Sequence, residues 1–195
     1  MGEQELRFSS PGAEMNAEWL DRAYEHIYNK TISNISEFQD KMPNFTEKGK
    51  YTFVKDGGWT GSFWTGILWH LFEKSGEGIF REAARLSQTR LRKRLFVNPR
   101  TLDHDTGFLY SLAFTADYKL TGSEDAKNAA LKAADYLAAR YNEKGRFIPA
   151  WNDWPDDTPE FREEKKGKII IDSMMNLPLL FWAAEQRGNK EYYHI

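Results

Sequence analysis

Apolar positions recur at helical spacing along most of the chain, and the pattern alternates between two kinds of segment. Residues 16–39 read as an amphipathic helix, with Trp19, Ala23, Ile27 and Tyr28 on one face. A loop is expected from Lys41-Met42-Pro43 through Asp56-Gly57-Gly58-Trp59-Thr60-Gly61. Ser62 is then placed to cap an almost wholly apolar helix, Phe63-Trp64-Thr65-Gly66-Ile67-Leu68-Trp69-His70-Leu71-Phe72, which stops near Gly76. A more polar helix over about Ile79–Leu95 follows.

The same phrase returns twice. Asp105-Thr106-Gly107 leads into an apolar helix, Phe108–Leu120, which stops at Gly122, and Ser123 caps a polar-faced helix over Glu124–Tyr141. Asp172 opens the third copy, Met174–Gln186, with its stop at Gly188 and another polar helix starting at Asn189. Counting back from the three glycines brings Trp59, Asp105 and Asp172 into one register, just ahead of three equivalent helices. Apolar helices alternating with amphipathic ones predict the inner and outer layers of a helical solenoid or toroid. If the inner helices run parallel, their amino ends share one cavity and gather partial positive charge there. Pro178, unwelcome beyond a first helical turn, would move the start of the third regular helix toward Asn176.

Composition narrows the function. The 195 residues suffice for one domain, with 41% apolar and 29% charged residues, a soluble globular balance. A net charge of −2 without a basic stripe argues against nucleic acid or an anionic membrane as partner. The absence of cysteine rules out a disulfide framework, thiolate metal sites and a cysteine nucleophile. Residues 1–15 form a polar extension ahead of a helical domain over 16–195, and no apolar signal core stands there, which leaves the cytoplasm and the periplasm open. Aromatics are the outlier: 7 Trp, 9 Tyr and 13 Phe. Most suit a core, but tryptophans in loops beside Gly and Asp suit the flat apolar faces of sugar rings.

Two carboxylates in unlike surroundings can divide acid and base work between them. Asp172 follows Ile169-Ile170-Ile171, and burial among aliphatics would disfavour its charged form. Asp105, beside His104 and Asp103, is expected to stay ionised more readily near a helix amino end. Asp172 is therefore the expected proton donor and Asp105 its electrostatic and positioning partner. The competing reading is capping, since Asp is a favoured N-cap and Asp103 or Asp105 would serve. Trp59 and Trp151 are the expected sugar platforms, the alternative being that they plug the core. His104 is expected to bond Asp105 rather than a metal, because no second His lies at ligand spacing. The acidic cluster Asp153, Asp156, Asp157 and Glu160 lacks a calcium-loop pattern and reads as solvated. No metal and no cofactor is expected.

These phrases resemble the unsaturated glucuronyl hydrolases, glycoside hydrolase family 88. The resemblance rests on residues 56–69 (DGGWTGSFWTGILW), 102–111 (LDHDTGFLYS), Ala150-Trp151 and 169–180 (IIIDSMMNLPLL), and extends over nearly the whole chain from about Asn16. It implies an all-α (α/α)6 toroid of which about the first half is present, three inner helices out of six. It also implies a bacterial enzyme of polysaccharide degradation. Such an enzyme removes the 4,5-unsaturated uronic acid that lyases leave at the non-reducing end of oligosaccharides, by hydrating the vinyl ether. By that resemblance Asp172 protonates C4 and assists water at C5, Asp105 supports it, and Trp59, His104 and Trp151 line the sugar subsite. A half toroid leaves an open apolar edge, which implies self-association or a missing carboxy-terminal half. Two rival functions stand beside it: the sister hydrolase of unsaturated rhamnogalacturonan fragments, and a non-catalytic carbohydrate-binding or helical fragment.

Overall fold

The computed structural model describes residues 17–195, so the polar extension 1–15 lies outside the described residues. The chain divides into a unit ending at Glu37 and a second unit, Phe38–Ile195. In the first, helix α1 (Ala17–Phe38) agrees with the expected amphipathic helix to within a residue, and Trp19 and Ile27 on its predicted face are exposed.

In the second unit the predicted loop begins as an antiparallel hairpin, β1 (Met42–Glu47) and β2 (Lys50–Val54). Lys48 and Gly49 both take positive φ, the conformation a two-residue hairpin turn requires. Pro43 and the charged flanks hide the strand alternation in the sequence. Met42 is buried, and its side chain lies so close to the backbone at Gly61 that a Cβ there would stand 2.9 Å from it. The hairpin is thereby seated under the turn that carries Trp59.

Three helical hairpins follow the predicted alternation. Helices α2 (Gly61–Ser75) and α3 (Gly78–Val97) form the first. Helices α4 (Thr106–Tyr110) and α5 (Ala116–Thr121), joined by a π-helical turn over Ser111–Thr115, pair with α6 (Glu124–Ala138) in the second. The short α7 (Pro159–Lys165) precedes α8 (Ser173–Arg187), which ends against a 3-10 segment, Lys190–His194, where a polar helix was expected. Gly76, Gly122 and Gly188 stop the apolar helices in the left-handed conformation, at φ 73°, 72° and 64°.

The inner helices advance together. Phe63 stacks on Phe108 at 5.5 Å, and further along Gly66 faces Leu112, so α2 and α4 run parallel with their amino ends side by side. Helix α6 presents a stripe of buried Ala126, Ala129, Ala130, Ala133 and Ala134, and small residues allow the inner helices to approach closely. The π turn is accommodated from α3, where the buried Gln88 amide donates to the Ala113 carbonyl at 3.0 Å. No helix among the described residues is long and apolar enough to cross a membrane.

Two expected details change. Ser62 does not cap α2; the position before that helix is Thr60. Helix α8 begins at Ser173 and carries Pro178 inside it rather than starting near Asn176.

Candidate active site

The turns before α4 and α8 meet. His104 Nε2 lies 3.1 Å from Asp105 Oδ1 and 3.8 Å from Asp172 Oδ1, with the imidazole only 2% exposed. The two aspartates expected to form an acid–base pair and the histidine expected to bond Asp105 therefore lie in one cluster. His104 Nδ1 faces the Ser173 hydroxyl at 3.3 Å, and the same hydroxyl accepts the Ile170 N–H. Nδ1 and the Ser173 hydroxyl are hydrogen-bond partners, the imidazole tautomer deciding which of them donates. The contact to Asp105 is close, but the ring N–H is not aligned with that oxygen, and Oδ1 of both Asp105 and Asp172 lacks a hydrogen-bond partner in the protein.

Neither aspartate is a helix cap, and the backbone shows why. Asp105 (φ −62°, ψ −11°) and Asp172 (φ −65°, ψ −12°) are already in the helical region, whereas a capping residue takes an extended ψ. The chain winds into each helix by tight bonds three residues back. Thr106 N–H donates to Asp103 and Gly107 N–H to His104; Ser173, Met174 and Met175 donate to Ile170, Ile171 and Asp172. These bonds satisfy the first-turn donors that a cap otherwise serves, except the Phe108 N–H, which a side chain of α8 takes. Thr60 has the same character (φ −89°, ψ −24°), so it, not Trp59, is the structural equivalent of the two aspartates. The spacing from this position to the stop glycine is sixteen residues in the first and third copies and seventeen in the second. The π turn, which holds one extra residue, accounts for the difference.

Asn176 ties the two turns together. Its Oδ1 accepts the Phe108 N–H at 3.0 Å, and its Nδ2 donates to the Asp172 carbonyl at 3.3 Å. Gly107 makes this approach possible, since a Cβ there would stand 2.3 Å from the Asn176 Cα.

Behind the cluster two arginines order the loops. Arg94 donates to the Gly58 carbonyl at 2.7 Å and to Thr101, joining the Trp59 turn to the segment that leads into Asp103. Arg140 donates to the carbonyls of Leu102 and Pro149 and to Asn152. Burial pushes the Asp103 carboxyl up, with the Asp105 charge adding to the rise and Arg94, His104 and Arg140 opposing it. Burial pulls Arg140 down, opposed by Asp103 and Asp105.

Trp151 is held beside the cluster by its neighbours. The Ala150 carbonyl accepts the His104 N–H at 3.4 Å, and Asn152 donates to Leu102 at 2.9 Å. Trp151 is 42% exposed and Trp59 60% exposed, so neither plugs the core. The aliphatic wrapping expected around Asp172 is not formed by its neighbours. Ile169, Ile170 and Ile171 are exposed, Ile171 at 93%. In the acidic loop, Asp157 takes Lys165 and the Trp154 N–H, and the Lys165 bond holds its carboxyl below the usual range.

Sequence reasoning gave no role to Ser173, Asn176, Arg94 or Arg140. Asn176 had a readable signal, since it lies one helical turn after Asp172 and shares its face. The ligand atoms of His104, Asp105 and Asp172 lie within 4.8 Å of one another, a spacing that a cation could also use. The set offers a single nitrogen donor, and Arg94 and Arg140 already bring positive charge to its edge.

Fold and site together define a helical-toroid protein with paired carboxylates at the amino ends of its inner helices. No protein-family model matches the chain. The unsaturated glucuronyl hydrolase of Bacillus sp. (strain GL1) is 38% identical over 166 residues, covering 85% of this chain and 42% of that relative. The unsaturated chondroitin disaccharide hydrolase of Streptococcus pneumoniae is 33% identical over 182 residues, 93% of this chain and 44% of the relative. The crystal structure of the Bacillus sp. GL1 enzyme superposes with a TM-score of 0.80 at 37% identity, over 89% of this chain and 45% of that one. The chain belongs to the unsaturated glucuronyl hydrolase family, and it spans less than half the length of the relatives it matches.

Proposed function

We propose that this chain carries the acid–base centre of a hydrolase that removes 4,5-unsaturated uronic acid from the non-reducing end of oligosaccharides. The observation that carries the proposal is the cluster itself, His104 set between the inward oxygens of Asp105 and Asp172. The relatives are named for unsaturated glucuronyl and chondroitin disaccharide substrates, and the Bacillus enzyme is described as responsible for glycosaminoglycan degradation.

In this reading Asp172, with 38% of its side chain open to solvent, delivers a proton to C4 of the C4=C5 vinyl ether. The cation that results is shared between C5 and the ring oxygen. Water adds at C5 and returns a proton to the Asp172 carboxylate. The C5 hemiketal then opens by breaking its bond to the ring oxygen, and C1 releases the remaining sugar. Asp105, 3.1 Å from the His104 ring, is the partner placed to offset the positive charge that develops. The gathered amino ends of α2, α4 and α8 suit the uronate carboxylate, and Trp59 and Trp151 offer ring faces to the sugar.

Loss of the ultraviolet absorbance of the conjugated double bond measures turnover directly. On an unsaturated glycosaminoglycan disaccharide, Asp172→Asn is expected to cut the rate by about 10²–10⁴-fold, the usual contribution of a positioned acid. A variant within about tenfold of the parent refutes the assignment of Asp172. Faster consumption of a pectin-derived unsaturated disaccharide would move the substrate class, and binding without consumption by the parent would make the chain a carbohydrate-binding unit.

A further inference from the structure

We infer that Asn176 is a positioning residue that holds Asp105 in its non-capping conformation, so that the Asp105 carboxylate faces His104 and Asp172 rather than its own helix. This rests on the proposed acid–base reading for its functional meaning, though not for its geometry.

Phe108 is the third residue of α4, and Asp105 stands immediately before that helix. That is the spacing at which an aspartate side chain normally accepts an amide N–H and caps a helix. Thr106 and Gly107 send their N–H groups to carbonyls three residues back, and Leu109 sends its own to Asp105. The Phe108 N–H is the exception, and it is taken by Asn176 Oδ1 at 3.0 Å from the neighbouring helix. Asn176 is 2% exposed, so water does not compete for this bond. Its other end is fixed, because Nδ2 donates to the carbonyl of Asp172.

Without that acceptor, the Phe108 amide would be a buried unpaired donor within reach of one strong substitute, the Asp105 carboxylate. Reaching it requires Asp105 to leave ψ −11° for an extended ψ, which carries its oxygens away from His104. Asn176 removes the demand, and the helical conformation of Asp105 persists. In α8 the corresponding donor, Met175 N–H, is met by the Asp172 carbonyl at 2.8 Å, so that aspartate needs no partner of this kind.

The test uses the full chain carrying Asn176→Ala, read by NMR and by kinetics. The Phe108 amide proton is followed over about pH 3–7, the range in which carboxylates titrate. In Asn176→Ala it is expected to acquire a carboxylate titration that the parent lacks and that the added change Asp105→Asn abolishes. The Asp105 Cα shift moves from helical toward extended values in the same variant. In an active form, kcat falls by about tenfold or more while KM stays within about threefold, since orientation and not binding is lost. Should the alanine variant fold poorly, Asn176→Ser replaces it. Its hydroxyl bonds the Asp172 carbonyl four residues back but stops short of Phe108, and the same titration is expected. A Phe108 amide that gains no Asp105-dependent titration in either variant overturns the inference. Because the NMR readout needs no turnover, an inactive parent would count against the proposed reaction alone.

Discussion

Gly107 decides how closely the two aspartates can approach, and Gly107→Ala isolates that role. Gly107 lies inside α4 with ordinary helical backbone, so on propensity alone alanine should stabilise the helix by about 0.5–1 kcal/mol. The neighbouring helix reverses the sign. A Cβ at this position would stand 2.3 Å from the Asn176 Cα, 2.4 Å from its Cβ and 2.4 Å from its carbonyl oxygen. Two of these are backbone atoms in the first turns of a helix and cannot rotate away, so α4 and α8 must separate by roughly 1 Å or more to restore contact distance. Overpacking of this kind costs about 1–3 kcal/mol, which leaves a net destabilisation of up to about 2.5 kcal/mol after the helical gain. The same movement stretches the 3.0 Å bond from Phe108 to Asn176 and parts Asp105 from Asp172. A displacement of that size at a reacting centre can cost about 10²-fold in rate. Gly66→Ala is the matched control. It too lies within an inner helix, but its Cβ would meet only Leu112 at 3.4 Å, an ordinary contact. Urea denaturation of the two variants should show Gly66→Ala neutral or stabilised and Gly107→Ala weakened, with the Phe108 amide resonance shifted only in the latter. Equal stability of the two, with an unmoved Phe108 amide, would refute the claim that this glycine sets the site.

Two further expectations concern pH. Asp103 has its carboxyl raised in the folded chain, mainly by burial, so its contribution to stability is greatest below the ordinary carboxylate range and is lost as pH climbs through the raised value. Asp103→Asn keeps the acceptor for the Asp105 N–H, and its denaturation midpoint should exceed the parent's at neutral pH, the gap closing toward about pH 4; a less stable variant at neutral pH contradicts this. Asp135 is lowered first by its bond to Arg187, helped by the Tyr192 hydroxyl at 2.6 Å, so it adds stability above the ordinary range that disappears as pH falls through the depressed value. Acid titration of stability in Asp135→Asn should therefore be flatter than in the parent below about pH 4, and identical slopes would rule the pair out as a contributor.

Much of the architecture was written in periodicity. The apolar helices, their glycine stops and the alternation of layers were legible because each depends on local rules, a 3.6-residue period and a left-handed end. The features that escaped depend on other parts of the chain. The β-hairpin over 42–54 carries Pro43 and an irregular register between Pro43 and Thr46, so its strands show no clean alternation. Only Lys48-Gly49 marked the turn. Helix α7 had a local signal in Thr158-Pro159-Glu160, and the Thr158 hydroxyl does cap it by accepting from Phe161. The π turn left a single trace, one extra residue between Asp105 and Gly122. Ile169–Ile171 misled because apolar side chains were expected to enclose the aspartate they precede, whereas all three are exposed. At the site, the pairing of Asp105 with Asp172 followed from the repeat, but what joins them, the Asn176 side chain on the Phe108 N–H, is a contact across 68 positions of sequence that no local pattern contains.

The shared backbone of the three turns bears on why carboxylates can stand where they do. A helix whose first donors bond three residues back, with Asn176 taking the one left over in α4, needs no cap from the residue before it, which is released from a structural duty. At Thr60 that freedom is spent on structure again, since its hydroxyl donates to Asn44 at 2.9 Å and secures the β-hairpin. At Asp105 and Asp172 the side chains turn toward His104 and keep an oxygen unpartnered. An unpartnered buried carboxylate oxygen is costly, and a fold tolerates it when the oxygen has work to do with a proton or a substrate. The backbone repeat therefore explains why carboxylates could be placed at these two positions without weakening their helices. The unpaired oxygens are what separate this arrangement from two ordinary helix ends.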